Sequence, residues 1–265
     1  MNEPDIDLDQ GDPKDRNFVT ALARGLQVLR CFRHNEVSLT NADFAERTGL
    51  AKATVSRLTY TLCALEYLVP DARTGSYRLG AGVLKLGFGV LSALDIADVA
   101  AQEMRALRDG PNSYITVALG EAHLCDVVYV ATERSREEVA LTMRIGSRLP
   151  LFRSAMGRAI MVGMTDPMRE ALFDRARAIA PETEQEGREN YALAREEFAA
   201  KGFCSSFGEW RQDVNGIAVP LHSLSGARVY GLNVGGPSFH VKKRQLETVY
   251  APLLFKAAEA ISVRV

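Results

Sequence analysis

A glycine at position 49 separates two short helical patterns, and its surroundings limit the folds open to this chain more than any bulk property does. Before it, Thr40 precedes Asn41, Ala42 and Asp43, the spacing of a capping box. The helix this starts runs to about Thr48, with Phe44 and Ala45 turned inward. Gly49 ends that helix because glycine accepts the positive φ of a tight turn. A third helix begins near Ala51, with Val55, Leu58, Leu62 and Leu65 on one stripe. Upstream, Leu22, Leu26, Leu29 and Phe32 give a first amphipathic helix its core face. Downstream, Tyr67–Val69 and Ser76–Leu79 read as short strands around a turn at Asp71–Gly75. Three helices closed by a hairpin make a winged helix-turn-helix.

The third helix has the face a recognition helix needs. Opposite its apolar stripe lie Ala53, Ser56, Arg57, Tyr60 and Thr61, with Lys52 and Thr54 at the N-terminal end. Small side chains let such a helix sit close to base edges in the major groove. Arg57 can donate twice to guanine or clamp a phosphate, and Lys52 is better placed for phosphate. Arg73 at the hairpin tip and Arg78 on its second strand can reach backbone or minor groove. Arg24 and Thr40 complete the candidate DNA-binding set. The formal net charge of the chain is -1, which says nothing about nucleic acid. Locally, Arg16, Arg24, Arg30, Arg33, Arg47, Lys52, Arg57, Arg73, Arg78 and Lys85 face only Glu36, Asp43, Glu46, Glu66 and Asp71. That surplus fits phosphate contact through counterion release, although a merely solvated face would also be charged.

A chain of 265 residues, 47% hydrophobic, suits two modest domains. Residues 1–18 are acidic with no apolar core, and read as a disordered leader rather than a signal peptide. Residues 19–80 form the winged domain, and 81–94 a linker helix whose GAGVLKLGFG run lacks a dinucleotide fingerprint. Residues 95–265 form a second, α+β domain with an antiparallel sheet, opened by a helix from Asp95 to Arg108. Its predicted strands are Tyr114–Leu119, Asp126–Val130, Val139–Met143, Phe203–Phe207, Val214–Leu221 and Val229–Val234, with Gly120–Ala122 as a hairpin turn. Its predicted helices are Ala155–Gly163, Pro167–Ile179, Asn190–Lys201 and Lys242–Ile261. No apolar run approaches the ~20 residues that span a bilayer. Cys31, Cys63, Cys125 and Cys204 form no CxxC pair, so free thiols in a reducing cytoplasm are expected. His123 and Cys125 alternate as if on one strand face, but no further metal ligands stand near. No GxSxG, phosphate-binding loop or HExxH is present, so neither enzyme, cofactor nor metal is expected.

The runs LARGLQVLRCF, LTNADFAERTGLAKATVSRLTYTL and EYLVPDARTGSYRLG together resemble the isocitrate-lyase-regulator (IclR) family of bacterial transcription regulators. GSRLPLFRSAMGRAIM, KGFCSSFGEW, NGIAVPL and GLNVGGPSF extend the likeness through the second half, from about Val19 to the C-terminus. The resemblance implies a GAF-like effector domain, a homodimer or dimer of dimers, a palindromic operator in double-stranded DNA, and a small organic acid as effector. RNA polymerase is a candidate further partner. The wording of the motifs is most similar to regulators of aromatic-acid breakdown.

By the same resemblance, the effector pocket lies between the sheet and the helix after Pro150. Its lining is expected from Ser154, Ala155, Met156, Gly157, Ser206, Glu209, Asn215, Gly216, Asn233 and Gly235. N–H groups at a helix N-terminus bind anions. Ser206, Gly216, Asn233 and Gly235 stand where members that bind small oxoacids carry other polar residues, which argues against a glyoxylate-like ligand. Met156 and Trp210 could wall a larger one, although Met156 is equally at home in a core and Trp210 on a surface. Two other classes remain open: a small-molecule enzyme with a DNA-binding-like module, which would need a nucleophile and base not found here, and a protein-interaction module, whose binding would not weaken steeply with salt.

Overall fold

The computed structural model describes residues 17–33, 36–91, 95–138, 141, 143–223 and 227–262. They divide into two compact units between Ala93 and Leu94. In the first, α1 (Thr20–Arg30), α2 (Asn41–Thr48) and α3 (Lys52–Ala64) pack around Val28, Phe44, Val55, Leu62 and Leu68. The strands β1 (Leu39–Thr40), β2 (Leu68–Asp71) and β3 (Ser76–Leu79) form an antiparallel sheet in the order β1-β3-β2. The predicted capping box is present: Asp43 N–H donates to Thr40 Oγ at 3.3 Å, and Thr40 N–H donates to Asp43 Oδ2 at 2.7 Å. Gly49 closes α2 with φ 69°.

Two apolar stripes depart from expectation. Leu22 and Leu26 on α1 are 63% and 50% exposed, because Val28, with Leu29 and Phe32, is the side that meets the core. Leu65 is also exposed, since the chain has left α3 by then, and Thr59 takes an inward place instead, fully buried. Its hydroxyl lies 3.1 Å from both Asn41 Oδ1 and the Val55 carbonyl, so the polar group is satisfied. The glycine-rich run is helical: α4 spans Ala81–Leu91.

The second unit has a six-stranded, wholly antiparallel sheet: β4 (Thr116–His123), β5 (Asp126–Glu133), β6 (Arg148–Pro150), β7 (Cys204–Phe207), β8 (Val214–His222) and β9 (Val229–Pro237), ordered β6-β5-β4-β9-β8-β7. One face carries α5 (Asp95–Arg108) and the closing helix. The closing helix begins with α9 (Lys243–Gln245), passes through a π-helical turn at Leu246–Tyr250, and ends in α10 (Ala251–Ser262). The other face carries α6 (Ala155–Gly163), with α7 (Asp166–Ile179) and α8 (Pro181–Lys201) outside it. The helix α8 starts nine residues before the expected Asn190, with Pro181 in its first turn and Glu184 paired to Arg177 and Arg188.

The expected turn at Gly120–Ala122 is not a turn. The strand β4 bulges at Leu119/Gly120 and continues to His123; the turn falls at Leu124, with φ 56°, and Cys125. His123 and Cys125 therefore do not share a strand. Gly120 serves packing instead, since a Cβ there would lie 2.4 Å from Met156 Sδ. The strand read over Val139–Met143 lies partly outside the described residues. Of those described, Leu141 and Met143 are not in a strand, and β6 takes the place beside β5.

Candidate functional site

The exposed face of α3 is uncluttered. Lys52, Ala53, Ser56, Arg57 and Tyr60 are exposed, Thr54 half-buried, and the helix contains no acidic residue. Three acids elsewhere in the unit are engaged, whereas Glu46 and Glu66 are exposed. Glu36 accepts from Arg47 at 2.5 and 2.9 Å, and the Arg47 guanidinium pulls its carboxyl down to about 2. Asp43 caps α2, and the Thr40 N–H it accepts from is the first cause holding its carboxyl pKa below the usual value. Asp71 orders the β2–β3 turn by accepting from Thr74 Oγ1 at 2.8 Å and Arg73 N–H at 2.9 Å. Arg73 stands exposed at the tip of that turn, where Gly75 has φ 67°, and Arg78 is exposed on β3. Lys52 and Arg57 thus share α3 with no acid, and the Glu36, Asp43 and Asp71 carboxylates are held by other partners. Arg24 is half-buried on α1, and Thr40's hydroxyl is committed to Asp43 at 2.8 Å. Arg47, counted in the basic surplus, also holds the Cys31 carbonyl at 2.7 Å and acts as an internal tie.

In the second unit, small residues make a cleft. Ser206, Gly216 and Gly235 lie side by side, in register, on β7, β8 and β9. With no side chain at two of these three places, space remains between the sheet and the start of α6. The helix itself is brought close by glycine: a Cβ on Gly157 would meet the Leu151 carbonyl oxygen at 1.9 Å, and one on Gly231 would meet Met156 Cγ at 2.5 Å. The cleft measures about 360 Å³, counted to its open mouth, and is lined by residues from all of these elements. Near its polar end are Ser154, Ala155 and Met156; Asn215 and Asn233 stand beside the small-residue row; Tyr129, Leu149, Trp210 and Val214 supply walls.

Ser154 caps α6, its Oγ accepting from Gly157 N–H at 3.1 Å. The N–H groups of Ala155 and Met156, first in the helix, have no intrahelical acceptor to reach. The amide nitrogens of Asn215 and Asn233 donate to the Val241 and Ile217 carbonyls at 2.9 and 3.0 Å, which leaves their oxygens as acceptors. Among the described residues no charged side chain lines the cleft. What it offers is neutral: backbone donors at one end, amide acceptors along the floor, and apolar or aromatic walls.

Of the expected lining, the structure gathers every residue except Gly157 and Glu209. Gly157 sits behind the rim, holding α6 against Leu151. Glu209 turns away to pair with Arg158. The helix model of the IclR family (IclR helix-turn-helix domain) matches residues 21–72, and its C-terminal counterpart (bacterial transcriptional regulator IclR C-terminal) matches residues 88–263.

The chain belongs to the IclR family.

It is a DNA-binding transcription regulator with a small-molecule effector domain, and IclR-family relatives resemble it along nearly its whole length. The Pca regulon regulatory protein of Pseudomonas putida is 31% identical over 94% of this chain and 84% of its own. The regulator TsaQ1/TsaQ2 of Comamonas testosteroni is 31% identical over 96% and 91%. An IclR-family regulator from Brucella abortus is 41% identical, with a TM-score of 0.81 over 96% of this chain and 95% of that one. An IclR homologue from Microbacterium hydrocarbonoxydans, solved with 4-hydroxybenzoate, shares the fold at 22% identity and a TM-score of 0.69. Among the described residues no helix is long and apolar enough to cross a membrane.

Tyr129 and Arg158 were not read from the sequence. Arg158 is buried, and its guanidinium donates to the Ser205 carbonyl (2.7 Å), Asn190 Oδ1 (2.7 Å) and the Glu209 carboxylate. An arginine inside GRAIM gives no sequence sign of burial; only its place one turn into α6, beneath the edge strand, decides it.

Proposed function

We propose that this regulator binds a palindromic operator as a dimer and responds to a small aromatic carboxylate seated in the cleft of its second domain. Lys52, Ala53, Thr54, Ser56, Arg57 and Tyr60 face the major groove, while Arg73 and Arg78 approach the backbone, with Arg24 beside them. The exposed Leu22 and Leu26 of α1 and Leu84, Leu86 and Phe88 of α4 are apolar surface of the kind a second copy covers. In a dimer the two recognition helices need half-sites about 34 Å apart. An effector that binds one arrangement more tightly shifts the population towards it. The protein acts in the cytoplasm and catalyses no reaction.

The observation that carries the effector reading is the cleft itself. The start of α6 presents N–H groups and the positive end of its dipole to an anion, and Tyr129, Trp210, Leu149 and Met156 suit a flat apolar body. The 4-hydroxybenzoate bound to the Microbacterium homologue points the same way. The test is a mobility-shift titration of the full chain on its own promoter region, with and without benzoate and hydroxybenzoates. Sequence-specific retardation that one of these acids shifts is the expected result. Retardation indifferent to every aromatic acid, together with an unchanged melting temperature in their presence, would overturn the effector class.

A further inference from the structure

Tyr129 lies on β5 opposite Gly120 and is 4% exposed. Its backbone is fully used: its N–H donates to the Ser147 carbonyl at 3.0 Å and its carbonyl accepts from Gly146 at 2.8 Å. Its ring packs in the cluster that holds Leu149, Leu151, Met156 and Trp210, and it lines the cleft. Among the described residues the phenol hydroxyl has no hydrogen-bond partner. Nor is it one of the sealed, unpartnered polar atoms of the described residues, so the hydroxyl is open at the wall of the cleft, where a ligand can reach it. Burial pushes the phenol pKa well above its ordinary value, so at neutral pH it keeps its proton and can donate as well as accept.

The rest of the lining narrows what that hydroxyl can serve. The Ser206 hydroxyl already donates to the Arg153 carbonyl at 2.8 Å, and each asparagine nitrogen already gives one of its two protons to a backbone carbonyl. With no cationic side chain lining the cleft among the described residues, a second carboxylate on a ligand would be desolvated without a counter-charge. A neutral polar group would not be.

We propose that Tyr129 is the residue that sets ligand specificity: its hydroxyl hydrogen-bonds a neutral hydroxyl or carbonyl oxygen on the ring of an aromatic monocarboxylate whose carboxylate is held at the start of α6. The ligand class is therefore an oxygen-substituted aromatic monoacid, in preference to the unsubstituted acid or a diacid. This rests on the aromatic-carboxylate reading above and adds the choice among such acids. Tyr129 touches the ligand directly; Phe at the same place keeps the ring and removes only the hydrogen bond.

The experiment titrates the full-length protein with benzoate, 3- and 4-hydroxybenzoate and 1,4-benzenedicarboxylate. It follows the emission of Trp210, the chain's single tryptophan, and the heat of binding by calorimetry. Wild type should bind one hydroxybenzoate about tenfold more tightly than benzoate, the worth of one net neutral hydrogen bond, and the diacid most weakly. Tyr129→Phe should bring that hydroxybenzoate to the benzoate value and leave benzoate unchanged. Wild type without a preference for the substituted ring overturns the proposal before any variant is made. So does a Tyr129→Phe protein that keeps the preference, which would mean solvent satisfies the phenol, or one that loses both acids equally. Wild type that gives neither emission change nor heat with any of these acids overturns the aromatic-carboxylate reading itself, and this proposal with it.

Discussion

Arg158 on α6 reaches across to Glu209, the residue before Trp210, and so ties the helix that opens the cleft to the loop that walls it. The loop is compact in its own right. Gly208 turns with φ 76°, its N–H donates to the Val214 carbonyl at 2.9 Å, and Arg211 pairs with Asp213 at 2.6 Å. Arg158 also covers the Ser205 carbonyl, while Glu197 takes the Ser205 N–H at 2.8 Å, so the outer edge of β7 is capped from two helices.

The two partners should respond unequally to substitution. Glu209 is 46% exposed on its side chain, and Glu209→Gln should cost under about 1 kcal/mol. Arg158→Met strands the Ser205 carbonyl and Asn190 in the interior, and should cost about 2–3 kcal/mol. Both should free the loop, which acrylamide quenching of Trp210 emission reads directly. Quenching equal to wild type in both variants would show that the pair does not hold the wall.

Gly157 carries a sharper steric prediction. A methyl group there would sit 1.9 Å from the Leu151 carbonyl oxygen, which is backbone and cannot rotate away. Gly157→Ala should therefore destabilise the second unit by about 3 kcal/mol, lowering the Trp210-reported thermal transition by roughly 5–10 °C. Operator binding measured below that transition should survive. An unshifted melt would mean that α6 can move off Leu151 freely.

These two positions also show where sequence stops being informative. The helix-turn-helix was readable because each of its signals is local: Thr40 and Asp43 lie within one turn, Gly49 needs a positive φ, and the strands flank a short turn. The small-residue row Ser206–Gly216–Gly235 was named residue by residue, but its meaning depends on strand register, which pairs residues far apart in the chain. Where burial is decided by distant partners, pattern misled. Leu22 and Leu26 have the spacing of a core face and lie outside it. Thr59 has the chemistry of a surface residue and is buried against Asn41. Gly120 looked like a turn because glycine often is, whereas here it makes room for Met156.

Acid should loosen the first unit in a defined window. Glu36, between α1 and β1, accepts both guanidinium nitrogens of Arg47 at the end of α2, and Arg47 also holds the Cys31 carbonyl. The bridge lowers the Glu36 carboxyl from 4.5 to about 2. A carboxyl depressed on folding contributes stability that is complete above its unfolded value and lost as pH falls through its folded value. Wild type should therefore exceed Glu36→Gln in the thermal transition that circular dichroism reports and Trp210 emission does not. That gap should be constant above about 4.5 and close progressively towards 2. A gap that persists at pH 2, or that is absent at pH 7, would remove the bridge from the account of this unit's stability.

Arg57 tests the operator surface without disturbing the fold. It is exposed on α3, and Val55, Thr59 and Leu62, which anchor the helix, face the other way. Arg57→Ala should leave the melting profile unchanged and weaken binding to the promoter region. Two outcomes separate its roles. If Arg57 reads a base, the loss is about 1–3 kcal/mol on the specific site, with discrimination between sequences relaxed at one position. If it neutralises a phosphate, binding weakens on all sequences alike and the slope of log affinity against log salt falls by about one. Lys52→Ala, at the first turn of the same helix, should follow the phosphate pattern. Wild-type affinity and salt slope in both variants would mean that another surface of this unit meets DNA.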